Sequence, residues 1–184
     1  MDEELKTLEV QLESMYGAIK TLGKFDQEIA AQFLETFEEY EITSDNFLSV
    51  DQYHDFMILY FVTNNWKNPA KFLWKRIPSA MKKDKALIGI WDIGKLLFTD
   101  NYQEAAKHIR AYKKGPLSDF LQAGYHCIMN GLINEVYENI DDATYRLLMG
   151  FKNSKEQKEY IEYYNAEIQP KSKICVLLIF FIFI

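Results

Sequence analysis

Apolar residues recur at spacings of three and four from the start of the chain. Leu5, Leu8, Leu12, Met15, Ile19 and Leu22 mark one face of an amphipathic helix, which Gly23 ends. A second helix is predicted from about Gln27, with Ile29, Phe33, Phe37 and Tyr40 facing inward. Ser44 or Asp45 is expected to cap a third, because a short side-chain oxygen satisfies an orphan backbone N–H. Its predicted apolar face is Phe47, Val50, Phe56, Met57 and Tyr60. Residues 72–77 read as helix up to Pro78, which lacks an N–H and disfavours helical backbone at Ile77. Residues 81–85 form a charged connector and 87–98 the next helix, with Trp91 on its buried side. Gly115-Pro116 breaks the pattern again, with Pro116 at or near the first turn of a long helix. The face of that helix carries Leu117, Phe120, Leu121, Cys127, Ile128, Leu132 and Val136.

Two segments line up with each other. Thr63-Asn64-Asn65-Trp66-Lys67-Asn68-Pro69-Ala70-Lys71 matches Thr99-Asp100-Asn101-Tyr102-Gln103-Glu104-Ala105-Ala106-Lys107 at an offset of 36 residues. Each has Thr, a short polar pair, an aromatic residue and then Ala-Lys, and a weaker echo sits at Gly23-Lys24-Phe25. A two-helix repeat near this length predicts a tetratricopeptide-like solenoid, in which pairs stack because one pair cannot bury its own face.

The last quarter changes character. Residues 137–140 read as a short strand. Asp141 or Asp142 then caps a helix over 143–149, which Gly150 ends. Ser154 with Gln157 reads as a capping box opening a helix over 155–164. Two strands, 166–168 and 174–177, follow around the turn Gln169-Pro170-Lys171-Ser172. That order is a winged helix. The predicted fold is therefore mainly α, with a helical-repeat region over 1–136, a winged-helix subdomain over 137–177 and an apolar tail over 178–184.

Composition narrows the function. Hydrophobic residues make up 48% of the chain, enough for a real core, and 8 Gly with 4 Pro leave little material for a many-stranded β fold. The net charge of −6 argues against general nucleic-acid binding, which is built from clustered Lys and Arg. In the winged helix, the expected recognition helix sets Lys155 and Lys158 against Glu156, Glu159 and Glu162, a combination that repels phosphate. Lys82, Lys83 and Lys85, and Lys113-Lys114, read as solvated loop charge. Cys127 and Cys175 form no CxxC pair, which fits a reducing compartment and no zinc site. Cys127 sits on an apolar stripe and reads as an inert buried thiol. His54, His108 and His126 fall in no HExxH motif, Glu104 with His108 reads as a solvated contact, and Asp141-Asp142 reads as a cap. No GxxxxGK[ST], GxGxxG or GxSxG occurs. The expectation is no catalytic residue, no cofactor and no metal. The acidic N-terminus has no apolar signal region. The apolar run from 174 to 184 is shorter than the ~20 residues that a membrane-spanning helix needs, and its Ile, Phe and Val favour strand.

Helical repeats leading into a winged helix, with Phe72-Leu73-Trp74-Lys75-Arg76-Ile77-Pro78 followed by Gly89-Ile90-Trp91-Asp92-Ile93-Gly94, resemble the PCI-domain family. That family is shared by the proteasome lid, the COP9 signalosome and translation initiation factor 3. The resemblance is greatest to the branch of small subunits that includes subunit 8 of the signalosome. Leu73, Trp74, Lys75, Arg76, Ile77 and Pro78, then Gly89, Ile90, Trp91 and Gly94, carry it, and residues 137–151 are similar to the start of the family's winged helix. The resemblance implies a non-catalytic scaffold of the complex that removes NEDD8 from cullins, whose zinc chemistry belongs to a different subunit. It implies contacts with other signalosome subunits, with subunit 3 as neighbour, made by extending one winged-helix sheet into the next. Ile168, Ile174 and Val176 are then the candidate partner-binding residues. It also implies a cytoplasmic and nuclear location, with no membrane and no nucleic-acid partner. Two alternatives stand beside this: a PCI subunit of initiation factor 3 (its k subunit) or of the proteasome lid, and an independent winged-helix nucleic-acid binder with salt-sensitive affinity for duplex DNA. One departure is the tail, where family members continue into a C-terminal helix. It reads first as the product of a wrong gene-model end, otherwise as an unusual bundle contribution or a short membrane or aggregation-prone segment.

Overall fold

The structure is a computed structural model of the chain, and the residues described are 2–22, 25–44, 46–63 and 68–167. In chain order the helices are α1 Asp2–Leu22, α2 Gln27–Thr43, α3 Val50–Val62, α4 Asn68–Arg76, α5 Lys85–Phe98, α6 Tyr102–Ala111, α7 Ser118–Val136, α8 Asp142–Met149 and α9 Ser154–Glu167. A 3-10 turn, Met81–Lys83, precedes α5. Every regular element among the described residues is helical. The chain divides into two compact units, 1–125 and 126–184, and the division falls within α7.

In the first unit, α1 packs on α2, α2 on α3, α3 on α4 and α5, and α5 on α6. Of the inward faces predicted for the first two helices, Leu8, Leu12, Phe33, Phe37 and Tyr40 are buried, whereas Leu5, Met15, Ile19 and Ile29 are half-buried. Aromatic rings connect the layers. Tyr16 meets Phe33 edge-on at 4.9 Å, Phe33 meets Phe37 at 5.2 Å, Phe37 stacks on Phe56 at 5.4 Å, and Phe56 on Tyr60 at 5.0 Å. Each such pair is worth about 0.5–1.5 kcal/mol beyond its buried area.

Helix α3 starts later than predicted. Ser44 terminates α2, its N–H donating to the Tyr40 carbonyl at 2.9 Å. The cap of α3 is Ser49, whose Oγ accepts from Gln52 N–H at 3.2 Å while Ser49 N–H donates to Gln52 Oε1 at 2.8 Å. Phe47 lies ahead of the helix and is 71% exposed, not on a core face. From Tyr53 to Val62 every residue of α3 is buried. A helix that is buried all round shows no amphipathic stripe, so its start could not be read from periodicity.

The 36-residue echo is structural. Thr63 closes α3 and Thr99 closes α5, and each hydroxyl donates back to carbonyls of its own last turn, Leu59 and Tyr60 in one case and Lys95 and Leu96 in the other. At the same offset, Ala70 and Ala106, then Leu73 and Ile109, are buried. Thus α3–α4 and α5–α6 are two copies of one helix pair.

The second unit departs from the sequence reading in four places. Residues 137–140 are irregular rather than a strand. Tyr137 N–H donates to the Ile133 carbonyl and finishes α7, and the exposed segment then leads straight to the Asp141 cap. Val136 is 70% exposed, because the buried face there runs through Met129 and Ile133. Asn153, not Ser154, caps α9: its Oδ1 accepts from Glu156 N–H at 3.0 Å, and Glu156 reaches back to Lys152 N–H at 2.7 Å. Ala166 and Glu167 continue α9 instead of starting a strand, since both are good helix formers and no breaker comes before Pro170. Helix α8 follows expectation. Asp141 Oδ1 accepts from Ala143 and Thr144 N–H, and Gly150 closes the helix at φ 75°, the left-handed region glycine enters without penalty. The turn predicted at 169–172, the strand predicted at 174–177 and the tail lie outside the described residues.

Polar side chains organise this unit. Asn130 accepts from the Tyr145 hydroxyl and donates to the Tyr160 hydroxyl, both at 2.9 Å. His126 Nε2 donates to the Met149 carbonyl at 2.9 Å, and its ring lies among Phe151 and Tyr160 at 5.1 and 5.0 Å.

Candidate interaction surface

The motif of residues 73–78 and 89–94 falls on α4, the turn after it, and α5. Its residues divide by chemistry. Leu73, Ile77 and Ile90 are buried and join the first unit's core. Pro78 ends the helical run, and its carbonyl accepts from Met81 and Lys82 N–H at 3.0 and 3.2 Å, folding the chain into the 3-10 turn. The two glycines allow close approach. A Cβ on Gly94 would lie 2.6 Å from Phe61 Cζ, and one on Gly89 would lie 3.0 Å from Tyr112 Cε2. These six positions set packing distances between helices.

Trp74 and Trp91 form the outer layer. Both are half-buried, and their rings stack at 4.6 Å and 4°. Phe98 meets Trp91 edge-on at 5.3 Å. Three ammonium groups lie over rings here: Lys82 over Trp74 at 5.4 Å, Lys71 over Phe98 at 4.7 Å, and Lys75 over Phe72 at 5.4 Å. Phe72 is 56% exposed. Lys82 also donates to the Lys75 carbonyl at 3.4 Å, drawing the turn onto α4. The tryptophans stand out in the sequence, but Phe98 and Lys71 do not, because their partners come from different helices.

Arg76 turns the other way. Its Nε and Nη2 donate to the two Glu41 oxygens at 3.2 and 2.6 Å, a two-point pair that raises the Arg76 pKa above its usual value. Beside it the Tyr60 hydroxyl donates to Glu38 at 2.8 Å. Burial first, and then Glu38, pushes the Tyr60 phenol well above its usual pKa. An open groove of about 800 Å³ borders this pair, with Ile42, 84% exposed, and Phe47 on its rim.

A second polar cluster is closed. Tyr16 donates to Asp55 Oδ2, Asp55 Oδ1 meets His54 Nδ1 at 2.9 Å, and His54 Nε2 meets the Tyr112 hydroxyl at 2.6 Å. The Tyr112 hydroxyl also reaches the Ala86 carbonyl at 3.0 Å. Gly115, at φ 76°, passes so close that a Cβ would lie 2.7 Å from His54 Cε1. Burial pushes the Tyr16 and Tyr112 phenols upward, with Asp55 adding to each. The cluster ties α1, α3, α5 and the end of α6 together. Its signal in the sequence was an ionisable pair, His54-Asp55, inside an apolar run.

Elsewhere Glu104 pairs with Lys107 at 2.6 Å, not with His108. Among the described residues no group of three or more His, Cys, Asp or Glu side chains is placed to hold a metal. No described helix is long and apolar enough to cross a membrane. Ile168, Ile174 and Val176 lie outside the described residues.

Residues 48–176 match the model of the CSN8/PSMD8/EIF3K family. The chain belongs to the CSN8/PSMD8/EIF3K family. It is 25% identical over 133 residues to COP9 signalosome complex subunit 8 of Xenopus laevis, spanning 70% of this chain and 68% of that one. It is 22% identical over 141 residues to the Danio rerio subunit 8, spanning 74% of each. A shorter stretch, 68 residues covering 33% of this chain and 34% of the other, is 37% identical to the Arabidopsis thaliana subunit 8. The CSN8/PSMD8/EIF3K match takes in both helix pairs and the whole Trp-Lys-Arg motif, while α1 and α2 precede it.

Proposed function

We propose that this chain is a non-catalytic scaffold subunit of the COP9 signalosome, acting through protein–protein contacts in the complex that removes NEDD8 from cullins. The observation that carries the reading is the likeness to subunit 8 from frog and fish across about seven-tenths of the chain. Two features support it. The motif is accounted for by packing and surface contacts, and the buried His54–Asp55 pair is consumed by its own hydrogen bonds. In this reading residues 1–136 form the helical-repeat region and 137–177 a winged helix. Ile168, Ile174 and Val176 sit on the sheet edge that meets a neighbour, with subunit 3 the expected one. No cofactor or metal takes part, and the protein works in the cytoplasm and nucleus.

A second reading has a specific basis, since the family name covers subunits of three assemblies. A PCI subunit of initiation factor 3 or of the proteasome lid would use the same fold. Tagging the chain in its native cell and identifying its high-mass partners by mass spectrometry separates the two. Signalosome subunits, including the metalloprotease subunit, support the first reading. Initiation-factor or lid subunits in their place refute it, and so does a chain that elutes alone.

A further inference from the structure

Charge is unevenly placed along this chain. Residues 71–85 hold six Lys or Arg and one acidic residue, whereas the rest of the chain holds fifteen basic against twenty-six acidic residues. The one acid in the segment, Asp84, is consumed as the cap of α5, accepting from Ala86 and Leu87 N–H. Arg76 is consumed by Glu41. The five lysines, Lys71, Lys75, Lys82, Lys83 and Lys85, have no carboxylate within ion-pair distance among the described residues, whereas Lys95, Lys107 and Lys113 do. Asp92, the nearest acid beyond the turn, is held by Lys95 at 2.6 Å.

Two of the five lysines are fixed by one continuous set of contacts, and a third lies over a ring beside it. Lys82 lies over Trp74, Trp74 stacks on Trp91, Trp91 meets Phe98, and Phe98 carries Lys71. Lys75 sits one helical turn after Lys71, over exposed Phe72. Like charges at that spacing repel one another. The ridge is therefore a set of oriented ammonium groups on an aromatic support, with the counter-charge missing.

We propose that this ridge docks an acidic, extended or helical segment of a protein partner, with partner carboxylates meeting Lys71, Lys75 and Lys82. A nucleic acid would offer the same charge. It is disfavoured because each ring of the ridge already has an ammonium or another ring against it, leaving little of the aromatic face that unstacked bases need. The acidic remainder of the chain would also repel a long polyphosphate. The proposal does not depend on which assembly the chain joins.

The test uses the full chain and a fluorescently labelled, glutamate-rich peptide, with single-stranded RNA of equal length as comparator, followed by anisotropy at two salt concentrations. The variant combines Lys71→Glu, Lys75→Glu and Lys82→Glu. Its control, Lys114→Glu with Lys152→Glu and Lys158→Glu, makes the same change of net charge elsewhere. The expected result is a salt-sensitive peptide affinity that falls at least tenfold in the ridge variant and less than twofold in the control. If the ridge variant does not fold, Lys75→Gln with Lys83→Gln, both at exposed positions, is expected to weaken binding about threefold. Equal loss in ridge variant and control, absence of measurable peptide binding to the unaltered chain, or tighter binding of the RNA overturns the proposal.

Discussion

Gly124 lies in the middle of α7, where glycine costs the helix about 1 kcal/mol relative to alanine. On propensity alone, Gly124→Ala should stabilise the protein. The structure says the reverse. A Cβ at this position would lie 2.6 Å from both Cβ and Cγ1 of Val62 and 2.9 Å from Phe25 Cε2. Carbon atoms pack best at about 3.5–4.0 Å, so a separation of roughly 1 Å has to be created. Rotating Val62 moves Cγ1 but cannot move its Cβ, which is fixed to the backbone of α3 where that helix is buried. Overpacking of this kind costs about 1–3 kcal/mol, and a rigid neighbour places it at the upper end. After the propensity gain, the net destabilisation is about 2 kcal/mol. For a chain of this size that is a fall in Tm of about 4–8 °C. All three tryptophans lie in the first unit, so their fluorescence during urea unfolding reports on that unit. Gly17→Ala in α1 is the matched comparison, because a Cβ there meets nothing within 4 Å. It should raise the urea midpoint by up to about 1 kcal/mol equivalent at unchanged slope. If both substitutions shift the midpoint in the same direction, propensity rather than close approach governs Gly124, and the inferred contact between α7 and α3 is wrong.

Ser49→Ala removes the acceptor of the α3 capping box and should cost about 1 kcal/mol in the same urea assay. Leu73→Ala opens a cavity at a fully buried position of the motif and should cost about 2–5 kcal/mol, lowering the thermal midpoint accordingly. Asn130→Ala leaves the Tyr145 hydroxyl buried without its acceptor, so a loss of about 1–3 kcal/mol is expected in the second unit, read by hydrogen exchange of α8 amides. Alkaline pH should unfold the protein: burial raises the Tyr16, Tyr60, Tyr112, Tyr125 and Tyr145 phenols, and Tyr102 is pushed up to about 12 by burial and its bond to Asp100. A phenol raised in the folded state contributes stability that is fully present below its unfolded value near pH 10 and is lost as pH rises through the folded value. Phenolate absorbance should therefore lag in the native chain and appear together with the loss of helical circular dichroism above about pH 10.

How far the fold could be read from the sequence depended on whether local chemistry decided each element. Asp141 and Gly150 terminate a helix by contacts with their own neighbours, and a reading of the chain finds such ends. The repeat was legible for the same reason, because Thr63 and Thr99 each bond within their own last turn. Ser44 or Asp45 is the expected α3 cap, and Ser49 takes that place instead; from Tyr53 on, every residue of α3 is buried, a tertiary fact. Residues 137–140 and 166–167 failed likewise: among the described residues neither forms a strand, and the run of good helix formers in α9 prevailed.

The motif shows where such reading stops. Leu73, Ile77, Ile90 and Gly94 could be recognised together, but their task is to set the distance between α4, α5 and α3. They lie within the stretch that matches the family, whose name covers subunits of three different assemblies. What distinguishes one member's partners must then lie in side chains that packing leaves free. On the α4–α5 face these are Lys71, Phe72, Lys75 and Lys82, which lie outside the buried core. Replacing them should leave the urea midpoint almost unchanged while altering association, whereas replacing Leu73 should do the opposite. A surface change that cost as much stability as Leu73→Ala would mean that the ridge belongs to the core, and the separation between folding and binding residues would fail.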